Sequence, residues 1–179
     1  KVRILIKPKK KEKQISEIKF YKAGERTKTI FLKELAKKDI DIFALIVEKN
    51  NQIIADTPEN FALISYILLE ECLLFYQNKT VDKIIFDKHF FREKDKIEFN
   101  QQLRFLLKNE ISPMYLDSQE NPEISSADMI AGSLLWKYAG KGGQFYDIIK
   151  DKIISEKIIN WKEVKKRFFD KTKNPLEPA

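Results

Sequence analysis

Hydrophobic residues recur every three or four positions along three stretches of the chain, Glu25 to Lys38, Pro58 to Gln77 and Asp95 to Asn109. This spacing predicts three amphipathic helices. Thr57 precedes the second and longest of them and is predicted to cap it. The residues predicted to face the core are Ile30, Phe31, Leu32 and Leu35 in the first helix, Phe61, Ile64, Leu68, Cys72 and Phe75 in the second, and Phe99, Leu103, Leu106 and Leu107 in the third.

Shorter apolar runs between these helices predict strands. Ile40 to Glu48 is apolar nearly throughout, which is typical of a central strand covered on both faces. Val81 to Phe86 and Met114 to Leu116 are predicted as further buried strands. An apolar run, a lysine-rich turn and the alternating stretch Ile15 to Phe20 together predict a β-hairpin over residues 1–20.

The remainder of the chain is predicted to be helical. Ser125 or Ser126 can cap a helix that runs to Tyr138. The turn Gly140 to Gly143 then leads into helices around Phe145 to Ile154 and Trp161 to Phe169. We therefore expect residues 140–179 to form a helical C-terminal extension with a frayed tail. In the helix that ends at Tyr138, the apolar face is predicted to comprise Ala127, Ile130, Ala131, Leu134, Leu135 and Tyr138.

Strands separated by helices predict an α/β layered domain with a mixed β-sheet flanked by helices. The chain has 179 residues, of which 43% are hydrophobic, enough for a single domain over residues 1–179. Its one cysteine, Cys72, lies in an apolar helical run, so we expect a buried, inert thiol and a reducing, cytoplasmic location. No apolar run approaches the ~20 residues that span a bilayer. A membrane partner is therefore not expected.

The chain is basic. It has 34 lysines and arginines against 27 aspartates and glutamates, which gives a net charge of +7 and a pI near 9.3. Such a surface attracts phosphate backbones, so the charge favours a polyanionic partner. The lysines are spread along the whole chain, however, and many basic proteins bind no nucleic acid. The charge alone therefore does not identify the partner.

Four acids occupy positions where a site can form. Asp87 and Asp117 each follow a predicted strand, Asp128 opens a helix, and Glu17 lies on the first hairpin. Sites in layered α/β folds gather at strand ends. Clustered carboxylates favour hard cations such as Mg²⁺, and two such ions about 4 Å apart can promote phosphodiester hydrolysis. Lys19 and His89 are then candidates to contact phosphate, so the predicted catalytic set is Glu17, Lys19, Asp87, His89, Asp117 and Asp128.

The residues alone leave a structural explanation open for several of these positions. Ser125 with Asp128 resembles a capping box, and the helix dipole stabilises an acid in a first turn without any catalysis. Glu17 and Lys19 can be a solvated pair on an exposed strand face. A lone histidine such as His89 is often an ordinary loop residue. At helical spacing, Asp128 is expected to point toward closely packed structure beside Gly132.

Five short sequences, in this order, resemble the DUF3800 family of uncharacterised prokaryotic proteins, and the likeness covers most of the chain. The most specific part is an Asp-Ser pair followed by Ala-Asp and a helix with small residues, here Asp117, Ser118, Ala127, Asp128, Ala131 and Gly132. The five sequences are SEIK (16–19), FALIVEK (43–49), IIFDKHF (84–90), YLDSQENPEISSADMIAGSLLWKY (115–138) and QFYDIIKDKI (144–153).

The resemblance implies an RNase H-like three-layer fold with a carboxylate site, in a family associated with mobile elements and defence. By this resemblance, Glu17, Asp87 and Asp128 match the metal-binding positions, with Asp117 close by, and the expected cofactor is Mg²⁺ or Mn²⁺. The implied activity is that of a nuclease, a phosphodiesterase acting on DNA or RNA. The alternative is a non-catalytic member that binds nucleic acid or protein through the basic segments Lys7 to Lys13 and Lys162 to Lys173.

One departure from the family pattern affects this expectation. Members of the family usually open with a strand that carries an Asp-Glu-Ser motif, and this sequence begins downstream of that position. The resemblance therefore implies that the first strand and the first carboxylate of the site are missing from the sequence. An omitted segment, a truncated chain and a naturally shortened gene would each explain the difference, with different consequences for activity.

Overall fold

The computed structural model of the protein describes residues 18–77, 81, 83–87, 89–107, 113–116 and 124–173, except for the side chains of 171–173. No helix within these ranges has the length and apolar character needed to cross a membrane. In chain order, the helices and strands are α1 (Glu25–Ala36), β1 (Ile42–Glu48), α2 (Pro58–Phe75), β2 (Ile84–Asp87), α3 (Glu93–Leu107), β3 (Pro113–Leu116), α4 (Ser125–Tyr138), α5 (Tyr146–Ile149), a short 3₁₀ helix (Lys150–Lys152), β4 (Ile153–Asn160) and α6 (Trp161–Lys173).

The fold is mixed α/β, with small parallel sheets flanked by helices. This confirms the predicted α/β class. The described strands do not join into one mixed sheet: β1 pairs with β4, and β2 pairs with β3. Among the residues described, β1 has one neighbouring strand, so its predicted central position stays a prediction. The chain divides into two compact units, and the single domain over 1–179 stays a prediction.

The first unit comprises Lys1–Ile42, Phe86–Lys88 and Tyr115–Ile154, and its described core lies among α1, α4 and α5. On α1, Phe31 and Leu35 are buried as predicted, but Ile30 is 44% exposed. The described core residues of this unit are Phe20, Phe31, Leu32, Leu35, Ile42, Met129, Phe145 and Ile149.

Helix α4 buries only part of the face that its apolar residues predict. Leu134 is buried as predicted and Ile130 packs against the core, but Ser125, Met129 and Ser133 are also buried and Leu135 is 70% exposed. The small residues on this face leave room for a close neighbour, and the Phe20 ring lies directly against Gly132. The face is therefore set by what packs against it, which the spacing of apolar residues does not reveal. The predicted face residues Ala127, Ala131 and Tyr138 are also exposed.

A buried lysine lies among aromatic rings in the first unit. Lys28 on α1 is only 6% exposed. Its Nζ is 4.4 Å from the ring centre of Phe20, 5.0 Å from that of Trp136 and 5.4 Å from that of Phe145. These three rings pack edge to face on one another. Cation–π attraction thus offsets part of the cost of burying the ammonium. A lysine on an amphipathic helix is ordinarily exposed, so its sequence position does not predict this burial.

The second unit comprises Phe43–Ile85, His89–Met114 and Ser155–Ala179, and α2 packs on both α3 and α6. Thr57 caps α2 as predicted, because its Oγ1 accepts a hydrogen bond of 3.2 Å from Asn60 N. The predicted face of α2 is wrong: its buried residues are Ala62, Leu63, Ser65, Tyr66 and Ile67, and Phe75 is 53% exposed. On α3 the prediction is confirmed for Phe99, Leu103 and Leu106.

The thiol of Cys72 on α2 is half-buried. Burial raises the pKa of this thiol to about 11, because the charged thiolate is disfavoured away from water. The group therefore stays protonated near neutral pH, and a protonated thiol is a poor nucleophile. This agrees with the inert thiol expected from the sequence.

Strand β4 was not predicted. The helix expected over Phe145 to Ile154 ends early, and Ile153–Asn160 forms a strand whose paired β-branched residues suit extended backbone. Alternate residues of β4 face α2: Ser155 Oγ donates to Glu71 Oε1 at 3.2 Å, and Lys157 Nζ lies 2.9 Å from Glu71 Oε2. The prediction of an all-helical segment over 140–179 is wrong at this point, because the isoleucines of this segment favour a strand and that strand pairs with β1.

Replacing Glu71 with glutamine is expected to destabilise the protein slightly near neutral pH. The hydrogen bond from Lys157 lowers the pKa of Glu71 below its ordinary 4.5, so this ionised form stabilises the fold above pH 4.5. The contribution is lost as the pH falls through the folded-state pKa. Because the Glu71–Lys157 pair is partly exposed, the free energy of unfolding of Glu71→Gln should be only about 0.5 kcal/mol below that of wild type at pH 7. Urea unfolding of wild type and Glu71→Gln at pH 7 and pH 3 measures this loss. An equal loss at both pH values would contradict a stabilising ion pair.

Candidate functional site

A β–α–β unit carries one of the predicted acids to the end of a strand. Strand β2 ends at Asp87 and β3 ends at Leu116, and the two strands are parallel neighbours. The rings of Phe86 and Tyr115 stack with centroids 6.3 Å apart, so the strands end side by side. The carboxyl ends of parallel strands form the edge where such folds place their sites. The exposed Asp87 lies at this edge, as predicted.

Asp128 is exposed in the first turn of α4 and has a defined partner. Its Oδ2 accepts a hydrogen bond of 2.7 Å from the backbone N–H of Phe20, a residue 108 positions earlier in the chain. Residue Ile124 caps the helix without a side-chain hydrogen bond, and Ser125 is buried. The predicted capping by Ser125 or Ser126 is therefore wrong. The side chain of Asp128 instead holds the backbone at Phe20 against the start of α4 through this hydrogen bond.

Lys19 lies in a turn rather than on the predicted strand. Its carbonyl oxygen accepts hydrogen bonds from Lys22 N at 3.1 Å and from Ala23 N at 2.9 Å. The predicted strand therefore does not extend over residues 18–20, and the rest of the hairpin lies outside the described residues. Because Asp128 holds the adjacent residue, Phe20, the backbone of Lys19 is kept near the start of α4.

His89 has contacts of its own in the second unit. Its Nε2 lies 2.8 Å from Asp56 Oδ1, and its ring stacks on Phe61 with centroids 4.5 Å apart. The Phe90 ring packs against its edge, with centroids 4.7 Å apart. These contacts hold the loop after β2 against the start of α2. They are consistent with a structural residue, and the phosphate contact expected from the sequence stays a prediction.

The predicted metal ligands are only partly described. Glu17 and Asp117 lie outside the described residues, whereas Asp87 and Asp128 both belong to the first unit, together with Lys19. Over the described ranges, no three histidine, cysteine or acidic side chains come together as a possible metal site. The metal site implied by the resemblance therefore stays a prediction. It depends on whether Asp87 and Asp128 come together with the acids that lie outside the described residues.

Sequence reasoning missed the partners of two candidate residues. Phe20 holds Asp128, and Asp56 holds His89, across sequence separations of 108 and 33 residues. Neither partner has a local sequence signal, because both contacts depend on how distant segments pack. A polar residue at a helix start or loop does indicate that some hydrogen-bond partner is needed, but not which one.

Comparison of the chain with protein-family models, curated proteins and solved structures finds no match. The resemblance to the DUF3800 family therefore stays a prediction based on the residues quoted above. The positions of Asp87 and Asp128 do not depend on that resemblance, since they follow from the strand pairing and the hydrogen bond just described.

Proposed function

We propose that the protein is a divalent-metal-dependent phosphodiesterase of the RNase H-like type, acting on nucleic acid in the cytoplasm. One observation carries the proposal: Asp87 ends a strand at the carboxyl edge of a parallel pair, within the compact unit that also contains Asp128. This edge is where layered α/β folds place catalytic carboxylates. The net charge of +7 suits an anionic polymer as substrate.

The donor atoms suit Mg²⁺ or Mn²⁺. Mg²⁺ is commonly bound through one or two carboxylates, with water and substrate phosphate completing its shell. Asp87 and Asp128 would supply two carboxylates, and Glu17 and Asp117 are the further predicted ligands. Asp128 accepts the Phe20 N–H through Oδ2, and a carboxylate has a second oxygen with which to bind a cation. When bound, the metal activates water and stabilises the departing oxygen.

The basic residues of the predicted catalytic set would act on the substrate. Lys19 lies beside the residue that Asp128 holds, so we propose that its ammonium group neutralises a substrate phosphate. We propose a supporting phosphate contact for His89, although its present partners are Asp56 and Phe61.

A second candidate is a non-catalytic protein of the same fold that binds nucleic acid or protein. The observation that favours it is that Asp128 and His89 each have a structural partner already, Phe20 and Asp56. Acids that only hold the fold together would have no need of a metal. Metal binding therefore distinguishes the two candidates.

We expect Mn²⁺ at tenfold excess over its Kd to stabilise the protein by about 1.4 kcal/mol, because a ligand of the native state raises its stability. For a chain of this size, the melting temperature should rise by about 3–5 °C. The shift should be absent in Asp87→Asn. Differential scanning fluorimetry with and without Mn²⁺ measures it for each variant.

Asp151→Asn is the matched control, because Asp151 is an exposed acid of the same unit outside the predicted site. It should retain the full Mn²⁺-induced shift. No shift in the wild-type protein, or an equal shift in Asp87→Asn, would contradict the proposal and favour the non-catalytic candidate.

A further inference from the structure

Helix α6 presents a basic face that includes an exposed aromatic ring. Trp161 and Val164 are buried and hold the helix to its unit. At about 100° per residue, three exposed lysines and Phe169 fall within a sector of about 100° beside this buried stripe. We call the set Lys162, Lys165, Lys166 and Phe169 the α6 basic face.

Two other charged residues of α6, Glu163 and Arg167, have interactions away from this face. Glu163 forms a reciprocal cap with Asn160: Asn160 N donates to Glu163 Oε2 at 3.1 Å, and Glu163 N donates to Asn160 Oδ1 at 3.0 Å. Arg167 lies toward α2, where its charge helps to lower the pKa of Glu71. Asp170 borders the α6 basic face. Within the described part of the chain, no ion pair involves Lys162, Lys165 or Lys166, and all three residues are exposed. The Nζ atom of Lys165 lies 5.7 Å from the ring centre of Trp161.

Phe169 gives this face a second means of binding. Its side chain is 55% exposed, and its ring packs edge to face on Phe168 with centroids 6.0 Å apart. An exposed ring among lysines can stack on a nucleobase while the lysines neutralise the adjoining phosphates. Lysines three and four residues apart on a helix are about 5–6 Å apart at Cβ, a spacing that suits neighbouring phosphates of one strand.

We propose that the α6 basic face binds single-stranded nucleic acid. A double helix hides the faces of its bases, so stacking on Phe169 requires an unpaired strand. An anionic membrane is a weaker match, because membrane-surface helices bury a broad apolar face in lipid. On α6 the apolar residues Trp161 and Val164 are already buried in the protein. The binding role of the α6 basic face rests on the proposed function in one respect: both take nucleic acid as the polymer that the protein binds.

The test measures binding of the full chain to a fluorescein-labelled 20-residue oligothymidylate by fluorescence anisotropy, in EDTA so that no cleavage occurs. Replacing Lys162, Lys165 and Lys166 together with glutamine should weaken binding at least about tenfold at low salt. The slope of log K against log salt should fall in magnitude by about 2, since each lost phosphate contact on a single strand contributes about 0.7.

The matched control replaces Lys33, Lys37 and Lys38 with glutamine, which removes the same charge from exposed lysines of α1 and its end. Binding by this variant should stay within about twofold of wild type. Phe169→Ala should weaken binding about tenfold, and Phe169→Trp should preserve it, because base stacking on one ring is worth that much. Melting temperatures should be unchanged in all of these surface variants.

Three outcomes would overturn the proposal: no binding of the oligonucleotide by wild type, equal losses in the two triple variants, or binding to phosphatidylserine vesicles but not to the oligonucleotide. Failure here is separable from failure of the proposed function. The Mn²⁺-induced thermal shift reports on the acids, whereas anisotropy in EDTA reports only on the α6 basic face.

Discussion

Asp128→Asn is expected to lower Mn²⁺-dependent cleavage at least about 100-fold while leaving stability almost unchanged. Asparagine keeps an oxygen that can accept the Phe20 N–H, but it removes the negative charge that a cation requires. Loss of groups that merely orient a metal ligand typically costs 10–100-fold, so loss of a ligand itself should cost at least as much. Cleavage of labelled single-stranded DNA and RNA by the full chain with Mn²⁺ measures the activity.

Asp128→Ala separates the structural role of this residue from the proposed catalytic role. Alanine removes the acceptor as well as the charge, which leaves the backbone N–H of the buried Phe20 without its partner. An unsatisfied buried donor costs about 1–3 kcal/mol. Urea unfolding should therefore show destabilisation in Asp128→Ala but not in Asp128→Asn. Equal cleavage by wild type and Asp128→Asn would contradict the catalytic role, and Asp151→Asn again serves as the matched control.

Gly132→Ala is expected to destabilise the protein by about 1–2 kcal/mol, although alanine favours helices. The exchange gains about 1 kcal/mol of intrinsic helix propensity within α4. A Cβ atom at residue 132, however, would overlap the Phe20 ring, so the ring would have to leave its place beside Lys28. Overpacking a core typically costs 1–3 kcal/mol, occasionally more. Equilibrium urea unfolding measures the net effect.

A double-mutant cycle with Phe20→Gly tests the cause, because both the ring and the Cβ of Phe20 would overlap a Cβ at residue 132. If the Phe20 side chain is what excludes a side chain at residue 132, Gly132→Ala should be neutral or stabilising by up to about 1 kcal/mol in the Phe20→Gly background. Phe20→Gly alone should cost about 4 kcal/mol, since a buried aromatic side chain is lost and glycine adds backbone freedom to the unfolded chain. The same loss from Gly132→Ala in both backgrounds would show that another neighbour is responsible.

The candidate site could be predicted in part. The position of Asp87 at a strand end followed from the apolar run before it, and the structure confirms it. The bond between Asp128 and Phe20 could not be predicted, because it joins residues 108 positions apart. Likewise, Lys28 is charged and lies on a helix, which predicts solvent exposure, yet three rings enclose it. Helical spacing describes which residues share a side, but not which side a distant partner will cover.

By itself, the sequence determined the α/β class, the helices α1, α2 and α3, the cap at Thr57 and the strand that ends at Asp87. These features depend on side-chain periodicity and on residues that satisfy nearby backbone groups. Only the tertiary structure decided that the described strands form two parallel pairs, that Ile153–Asn160 is a strand, and that α4 buries Ser125, Met129 and Ser133. Those features depend on contacts between distant segments, whose packing and backbone hydrogen bonds outweigh the fractions of a kcal/mol in local propensity.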